Sequence, residues 1–300
     1  MIRRSRLFAL GLTLLACAGL AGCGGLAGLS DRFKAQDEVT KTFKTAAATP
    51  RIVVDTFNGE VTVTIGNPGS VKAVIGKWST GSTQEAAEDG LVGIEANMSQ
   101  EADAIHIKTQ VTQKNFLGSR GANVALQVPK GAVLDLISGN GKIAATGNLG
   151  DITAKTSNGT VEVKESSGKL DLSSGNGKIA VVGGAGKLVL HTSNGEIDIK
   201  SDHAVIDAQS GNGTVTFSGT LGDGDHLFQT HNGKVTLTLP AEAQFHIDAE
   251  TKNGKINSDF KLKTSRRRSN SKMQGTIGDD PATTIKIRVG NGSIDVHKDK

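Results

Sequence analysis

Two pairs of carboxylates in this 300-residue chain have a spacing that glycoside hydrolysis could use. Glu162 and Asp198 form one pair, Asp171 and Asp207 the other, and each pair is 36 positions apart, twice an 18-residue repeat. If each repeat is one coil of strands stacked about 4.8 Å apart, the acids lie about 9.6 Å apart, near the upper limit for an inverting glycosidase. However, outward strand positions commonly carry charge for solubility, and no aromatic platform for a sugar lies nearby. We therefore predict no catalytic residue, with a polysaccharide-active β-helix enzyme as the alternative.

Histidine and acidic residues do not form a recognisable metal site in the sequence. None of the seven histidines has a zinc-type spacing. Asp223 and Asp225 flank a glycine as in a calcium loop, but the further ligands of such a loop are missing. No Gly-Lys-Ser/Thr phosphate loop opens a helix. We therefore predict no metal and no cofactor.

A run of positive charge over residues 261–274 is the strongest candidate for a specific contact. It contains no Asp or Glu and six basic residues: Lys261, Lys263, Arg266, Arg267, Arg268 and Lys272. We interpret it as a basic loop that binds anionic polymers or lipid head groups, each charge near such a surface contributing about 1 kcal/mol. The alternative is a solvated insert without a ligand. Nucleic acid is not an expected partner, because no aromatic side chains alternate with the charges.

An internal repeat supplies the elements that position these residues. Four units of 18 residues cover 141–158, 159–176, 177–194 and 195–212, and each ends in Asn before a Gly. Within a unit the apolar residues alternate with polar ones, as in Val161-Glu-Val163. This period of two predicts two short strands per unit, with one face toward a core and the other toward water.

An Asn-Gly pair closes each unit, and further copies extend the repeat in both directions. We expect structural turns at nine asparagines: Asn58, Asn140, Asn158, Asn176, Asn194, Asn212, Asn232, Asn253 and Asn291. Asn tolerates the left-handed backbone region, and Gly adopts conformations that a side chain would penalise. Two residues before the Asn stands an inward hydroxyl, such as Thr156 or Ser174, which we expect to bond its counterpart or a nearby backbone group.

Two all-β architectures satisfy this pattern. A right-handed single-stranded β-helix, or β-solenoid, explains the constant length of about 18 residues, because each coil must stack in register on the last. An antiparallel β meander is the alternative, since Asn-Gly between alternating strands is also a strong hairpin signal. The constant length favours the solenoid, although periodicity alone does not decide between the two.

The N-terminus has the layout of a bacterial lipoprotein signal. Three arginines precede the apolar run from Leu7 to Leu20, which is too short for a confident membrane span, and Ala-Gly-Cys23 follows. This resembles a lipobox, in which Cys23 becomes the lipidated first residue of the mature protein. Because Cys17 would be removed, no thiol remains for a disulfide. No Asp follows Cys23, so we expect the outer membrane if the organism is Gram-negative.

These signals divide the chain into a signal peptide over 1–22, a lipid-anchored tether over 23–37 and a β-solenoid domain over 38–300. Residues 67–130 lack the repeat and are expected to be an irregular insert or cap with a helix over Thr83–Leu91. A helix at this place could protect an open sheet edge. The chain has no Tyr and one Trp, which argues against a bulky globular core.

The repeated Asn-Gly-x-[Ile/Val]-x-[Ile/Val] motif behind a lipobox resembles the bacterial putative-adhesin family of β-strand-repeat envelope lipoproteins, a domain of unknown function. The resemblance covers about residues 38–298. It implies a β-helix-like fold, a location in the cell envelope and no assigned catalytic residues.

We therefore expect a non-enzymatic, lipid-anchored β-solenoid of the cell envelope that acts as an adhesive, surface-binding or structural protein. Its expected partners are the membrane, through the N-terminal lipid, and an envelope polysaccharide or another surface protein. An envelope-stress accessory protein that binds another protein is a further alternative.

Overall fold

The structure is a computed structural model that describes residues 33–102, 104–113, 115–267 and 270–299. The predicted signal peptide, Cys23, most of the predicted tether and Arg268 lie outside these residues. The first strand begins at Phe33. The tether prediction is therefore wrong for residues 33–37, which belong to a strand.

The described residues form one helix and 24 strands, numbered along the chain. The elements before the regular repeat are β1 Phe33–Lys44, β2 Arg51–Thr56, β3 Val61–Ile65, β4 Ser70–Gly81, α1 Gln84–Val92, β5 Ile94–Glu101, β6 Ala104–Val111 and β7 Arg120–Val128. The repeat contains β8 Val133–Asn140, β9 Ile143–Thr146, β10 Ile152–Asn158, β11 Val161–Lys164, β12 Leu170–Asn176, β13 Ile179–Val182, β14 Gly186–Asn194 and β15 Ile197–Asn212. The remaining strands are β16 Val215–Leu221, β17 Gly224–Asn232, β18 Val235–Leu239, β19 Phe245–Asn253, β20 Ile256–Ser258, β21 Lys263–Arg267, β22 Asn270–Ile277, β23 Thr283–Asn291 and β24 Ile294–Lys298.

Strands of successive repeats pair in parallel and in register. Ile152 of β10 pairs with Leu170 of β12, and Leu170 pairs in turn with Leu188 of β14, so the partner lies 18 residues further each time. The second strands of the units do the same, as β9, β11 and β13 show. Parallel pairing between consecutive units confirms the predicted β-solenoid and excludes the antiparallel meander.

The alternation predicted from the sequence places the core between the two stacks of strands. The inward residues Val161, Val163, Leu170 and Leu172 are at most 1% exposed, whereas Glu162 between them faces outward. The same alternation runs through one continuous buried cluster from Phe43 to Val296. Burial of these aliphatic columns supplies the main driving force for stacking the coils.

The order of the coils in space differs from their order in the sequence at both ends. The coil β2–β3 lies between the coils β6–β7 and β8–β9. At the other end, the coil β23–β24 lies between β17–β18 and β19–β20. The last coil of the sequence is therefore an interior coil, which the repeat pattern did not reveal.

One end of the solenoid is closed by an N-terminal cap, which we define as β1, β4, β5, α1 and residues 115–119. The strand β4 pairs antiparallel with β1 and β7, and β5 pairs antiparallel with β6. The predicted helix is present, shifted by one residue, and the Thr83 hydroxyl accepts a hydrogen bond from the Ala86 N–H at 3.0 Å as its N-cap. Among the described residues, no helix has the length and hydrophobicity needed to cross a lipid bilayer.

The opposite end carries the positively charged segment. Residues 261–274, predicted as a loop, contain β21 and much of β22, which form an antiparallel hairpin. We call this segment the basic hairpin. Its strand β22 pairs with β19, so the hairpin continues the stack at this end. The loop prediction is wrong because the period-two pattern is weak here, with only Ser271 and Met273 buried in β22.

Candidate binding surface

A ladder of asparagine side chains runs along one corner of the solenoid. Seven hydrogen bonds join its eight members, each from the Nδ2 of one asparagine to the Oδ1 of the asparagine on an adjacent coil at 2.7–2.9 Å, and Asn140 only accepts. In spatial order the members are Asn140, Asn158, Asn176, Asn194, Asn212, Asn232, Asn291 and Asn253. Asn58 donates instead to the carbonyl of Arg120 at 2.8 Å. These turn residues hold the coils in register.

The inward hydroxyls form a second column beside the ladder. The Ser174 Oγ donates to the carbonyl of Gly159 at 2.9 Å, and Thr192 Oγ1 donates to that of Gly177 at 3.1 Å. The same bond recurs at Ser138, Thr156, Ser210, Thr230, Thr251 and Ser271. Each hydroxyl therefore satisfies a carbonyl at the corner of a neighbouring coil rather than another hydroxyl.

The corner glycines are required by close stacking. A Cβ placed on Gly177 would lie 2.0 Å from the carbonyl oxygen of Gly159, and a Cβ on Gly195 would lie 2.0 Å from that of Gly177. The left-handed conformation expected for the asparagines is wrong, because the described non-glycine residues with positive φ are Ala102, Glu165, His203 and Asp280. The asparagines are selected by their hydrogen-bonding amide instead.

The outward carboxylates considered for catalysis are neutralised by lysine. Glu162 contacts the Nζ atoms of Lys142 at 2.8 Å and of Lys164 at 2.6 Å. The hydrogen bonds from these two lysines lower the pKa of Glu162 to about 2. A general acid needs the opposite shift, a raised pKa. Asp198 contacts Lys178 at 3.1 Å, and one rung separates it from Glu162.

The second carboxylate pair is also divided by an intervening coil. Val189 lies in register between Asp171 and Asp207, and the Asp207 carboxylate accepts a hydrogen bond from Gln209 at 2.7 Å. Asp207 lines a depression of about 640 Å³ on the outward face of β14, β15, β17 and β23. Within the described ranges, no group of three or more His, Cys, Asp or Glu side chains could hold a metal ion.

The floor of this depression contains a buried histidine that the sequence did not single out. His226 is 2% exposed, its Nδ1 accepts from the Ile206 N–H at 3.2 Å, and its Nε2 lies 2.9 Å from the Gly222 carbonyl. Because that carbonyl can only accept, Nε2 carries the proton and the ring is neutral. Burial lowers the pKa of His226 below its ordinary value of 6.5.

The pH dependence of stability should report this histidine. Below about pH 6.5 residue 226 binds a proton in the unfolded chain but stays neutral in the native protein. The free energy of unfolding should therefore decrease as the pH is lowered. We expect His226→Gln to be less stable at about pH 7.5 but to lose less stability on going to about pH 5.5. Urea unfolding of both proteins at the two pH values measures this, and equal losses would contradict it.

The described residues of the basic hairpin lie at the end of the stack, and Arg268 lies outside the described part of the chain. Lys261 and Lys263 are exposed, and the backbones of Arg266 and Arg267 lie in β21. Lys272 contacts the carboxylate of Glu250 at 3.3 Å, and hydrogen bonds from Asn270 and Lys272 lower the pKa of Glu250. One of the six positive charges is thus partly compensated.

A further ion pair joins Asp248 of β19 to Arg288 of β23. The two residues lie 40 positions apart and on adjacent coils only because β23 is inserted beside β19. Sequence reasoning missed this pair, since the register of the irregular C-terminal coils was not predictable from their spacing.

Comparison with known proteins identifies a family to which most of the chain can be matched. The family model Toastrack DUF4097 matches residues 49–297 of the chain. The chain belongs to the Toastrack family. This confirms the resemblance predicted from the Asn-Gly repeat, since the family is a domain of unknown function. No curated protein matches the sequence.

Solved structures similar to this Toastrack chain cover most of its length. One, a putative adhesin from Bacteroides fragilis, is 13% identical, covers 87% of this chain and 97% of its own, and has a TM-score of 0.40. Another, a putative lipid binding protein from Parabacteroides distasonis, is 12% identical, covers 88% and 97%, and has a TM-score of 0.39. A putative cell adhesion protein from Clostridium sporogenes is 12% identical, covers 88% and 100%, and has a TM-score of 0.27. The family model alone decides the family.

Proposed function

We propose that this Toastrack protein is a lipid-anchored, non-enzymatic β-solenoid of the cell envelope that binds an anionic surface polymer through its basic hairpin. The lipobox ending at Cys23 supports the anchor and the envelope location. The lysine contacts of Glu162 and Asp198 support a surface that is charged for solubility and register rather than for catalysis.

The observation that carries the proposal is the position of the basic hairpin relative to the anchor. The N-terminal strand β1 belongs to the cap at one end, and β21 is the last strand at the other. Eleven strand steps lead from β6 through β2, β8, β10, β12, β14, β15, β17, β23, β19 and β22 to β21. At about 4.8 Å per step the hairpin lies about 50 Å from the cap.

This distance favours a polymer over the lipid head groups of the anchoring membrane as the hairpin's ligand. If Cys23 holds the cap near its own bilayer and the solenoid points away from it, a hairpin about 50 Å from the cap is separated from that bilayer by several Debye lengths of about 8 Å at physiological salt. Attraction to the head groups is then screened. A polymer that reaches the end of the solenoid meets six positive charges with no acidic residue among them.

Removal of the three consecutive arginines should weaken this binding. We expect Arg266→Ala, Arg267→Ala and Arg268→Ala together to reduce affinity for an anionic envelope polymer at low salt by about 100-fold, since each near-surface charge contributes about 1 kcal/mol. Titration of the full mature chain with a fluorescent teichoic acid or lipopolysaccharide core measures it, at low and at physiological salt.

A matched variant separates local from overall charge. Lys155, Lys169 and Lys200 are exposed on coils away from the hairpin, and their replacement by Ala removes the same net charge. This control should change affinity by less than about threefold, because surface charges beyond a Debye length are screened. Equal weakening by both variants, or unchanged binding in the arginine variant, would exclude the hairpin as the binding site.

A further inference from the structure

The N-terminal cap exposes apolar side chains that the fold leaves uncovered. Five large apolar residues are exposed in the described part of the chain, and three belong to this cap: Phe33 at 42%, Val92 at 84% and Leu117 at 93%. The other two, Ile137 and Val182, lie singly on the outward faces of interior coils. Isolated exposed residues of the second kind are normal, whereas a group at one end is unusual.

Contacts within the cap place the three residues around α1. Phe33 pairs with Gly81, and a Cβ on Gly81 would lie 2.7 Å from the Ala87 nitrogen of the helix. Val92 is the last residue of α1.

Leu117 reaches the same region through its neighbours in the chain. The Phe116 ring lies 2.2 Å from the position of a Cβ on Gly90 in α1, and Gly118 packs on the carbonyl of Thr80. The three residues therefore belong to segments that pack on or form one short helix, α1, within the N-terminal cap.

We propose that this group docks the cap onto the surface of a zwitterionic lipid bilayer. The inference rests on the proposed lipid anchor. Nine residues separate Cys23 from Phe33, which at full extension of about 3.6 Å per residue span about 32 Å, so an anchored chain keeps the cap close to the lipid. Docking orients the solenoid with its basic hairpin away from the membrane.

The charge of the cap specifies the kind of lipid. The cap as a whole carries seven acidic residues against five lysines on β1 and β4, a formal net charge of −2. The negative charge is concentrated in the segment from Gln84 to Glu101, which has no Lys or Arg and five acidic residues: Glu85, Glu88, Asp89, Glu95 and Glu101. An anionic surface repels such a segment and attracts the basic hairpin instead. A neutral phosphatidylcholine surface accepts the apolar side chains without that repulsion, so the cap should contact neutral and not anionic bilayers.

The contact between the cap and the bilayer can be tested in the full lipidated chain by measuring how often nitroxide spin labels collide with dissolved oxygen and with a nickel chelate. Ser82→Cys places a label between β4 and α1 and leaves all three apolar residues intact, while Thr264→Cys places one on the basic hairpin. In phosphatidylcholine vesicles we expect the ratio of oxygen to nickel-chelate collisions at position 82 to be at least about threefold that at 264, because a polar but uncharged chelate is excluded from the apolar phase and is not attracted to the basic hairpin. Val92→Ser with Leu117→Ser should abolish this difference.

Three other results would overturn the inference, and they separate it from the anchor. If the chain floats with vesicles but the label at 82 is as accessible to the chelate as the label at 264, the anchor holds and the docking is refuted. If the wild-type chain does not float, or Cys23→Ala floats equally well, the lipid anchor fails and this inference fails with it. If the label at 82 is shielded from both reagents, a protein, such as a second copy, covers the cap instead of lipid.

Discussion

Replacement of Gly177 by alanine is expected to lower the free energy of unfolding by about 3 kcal/mol, because overpacking at a rigid site forces the backbone to shift. The new methyl carbon would lie 2.0 Å from the carbonyl oxygen of Gly159 on the neighbouring coil. Relief requires the two coils to separate, which lengthens the hydrogen bond from Ser174 to the same carbonyl, 2.9 Å in the native protein. The corner thus loses packing and a hydrogen bond together.

Gly76→Ala is the matched control for this substitution. Gly76 lies in a strand of the same sheet, and a Cβ added there meets no atom within 4 Å. With ordinary backbone geometry this change should stay within about 0.5 kcal/mol of the wild type, or stabilise slightly by restricting the unfolded chain. Urea unfolding followed by circular dichroism compares the three proteins. Equal stability of Gly177→Ala and Gly76→Ala would refute the argument that close stacking requires glycine at the corner.

The regular part of this fold was predictable because each coil repeats the same pattern of apolar, polar and turn residues. Val161, Val163, Leu170 and Leu172 recur every 18 residues, and only parallel in-register stacking buries all copies with one coil length. The nine Asn-Gly turns follow from the same repeat. Agreement between pattern, turn and length favoured the solenoid, and the parallel pairing of the coils then excluded the meander.

The ends were not predictable, because contacts there depend on coil order rather than on the repeat. The Asn-Gly repeat does not show that the coil β23–β24 inserts beside β17–β18, nor that the earlier coil β19–β20 lies outside it. The pairing of Arg288 with Asp248 follows from that insertion. The hairpin at 261–274 escaped prediction because most of its residues are polar on both faces, which removes the signal that fixes a strand.

The sequence also did not show which physical property of asparagine is used at the corners. An Asn-Gly pair predicts a turn whichever physical property selects the asparagine, whether backbone tolerance or side-chain hydrogen bonding. The structure separates the two, since none of the ladder asparagines has positive φ and each is joined to a neighbour through its amide. A side-chain column of this kind stabilises stacked strands by the same geometry as the amide ladders of cross-β assemblies.

Replacement of Asn176 by alanine should therefore cost about 1–3 kcal/mol, the sum of two exposed hydrogen bonds of about 0.5–1.5 kcal/mol each. Its Nδ2 donates to Asn158 at 2.8 Å, and its Oδ1 accepts from Asn194 at 2.9 Å. Asn253 stands at the end of the ladder and makes one ladder bond, to Asn291 at 2.7 Å. Asn253→Ala should cost about half as much, because one bond is lost instead of two.

A double-mutant cycle isolates the ladder bond from other effects of the asparagines. Asn176→Ala and Asn194→Ala each remove the bond that the two residues share, so the double variant should be more stable than the sum of the single losses predicts, by about 0.5–1.5 kcal/mol. Asn176 with Asn253, which share no bond, should give additive losses. Additivity in both cycles would mean that the amide column contributes nothing to register, and that asparagine is kept at the corners for its turn propensity alone.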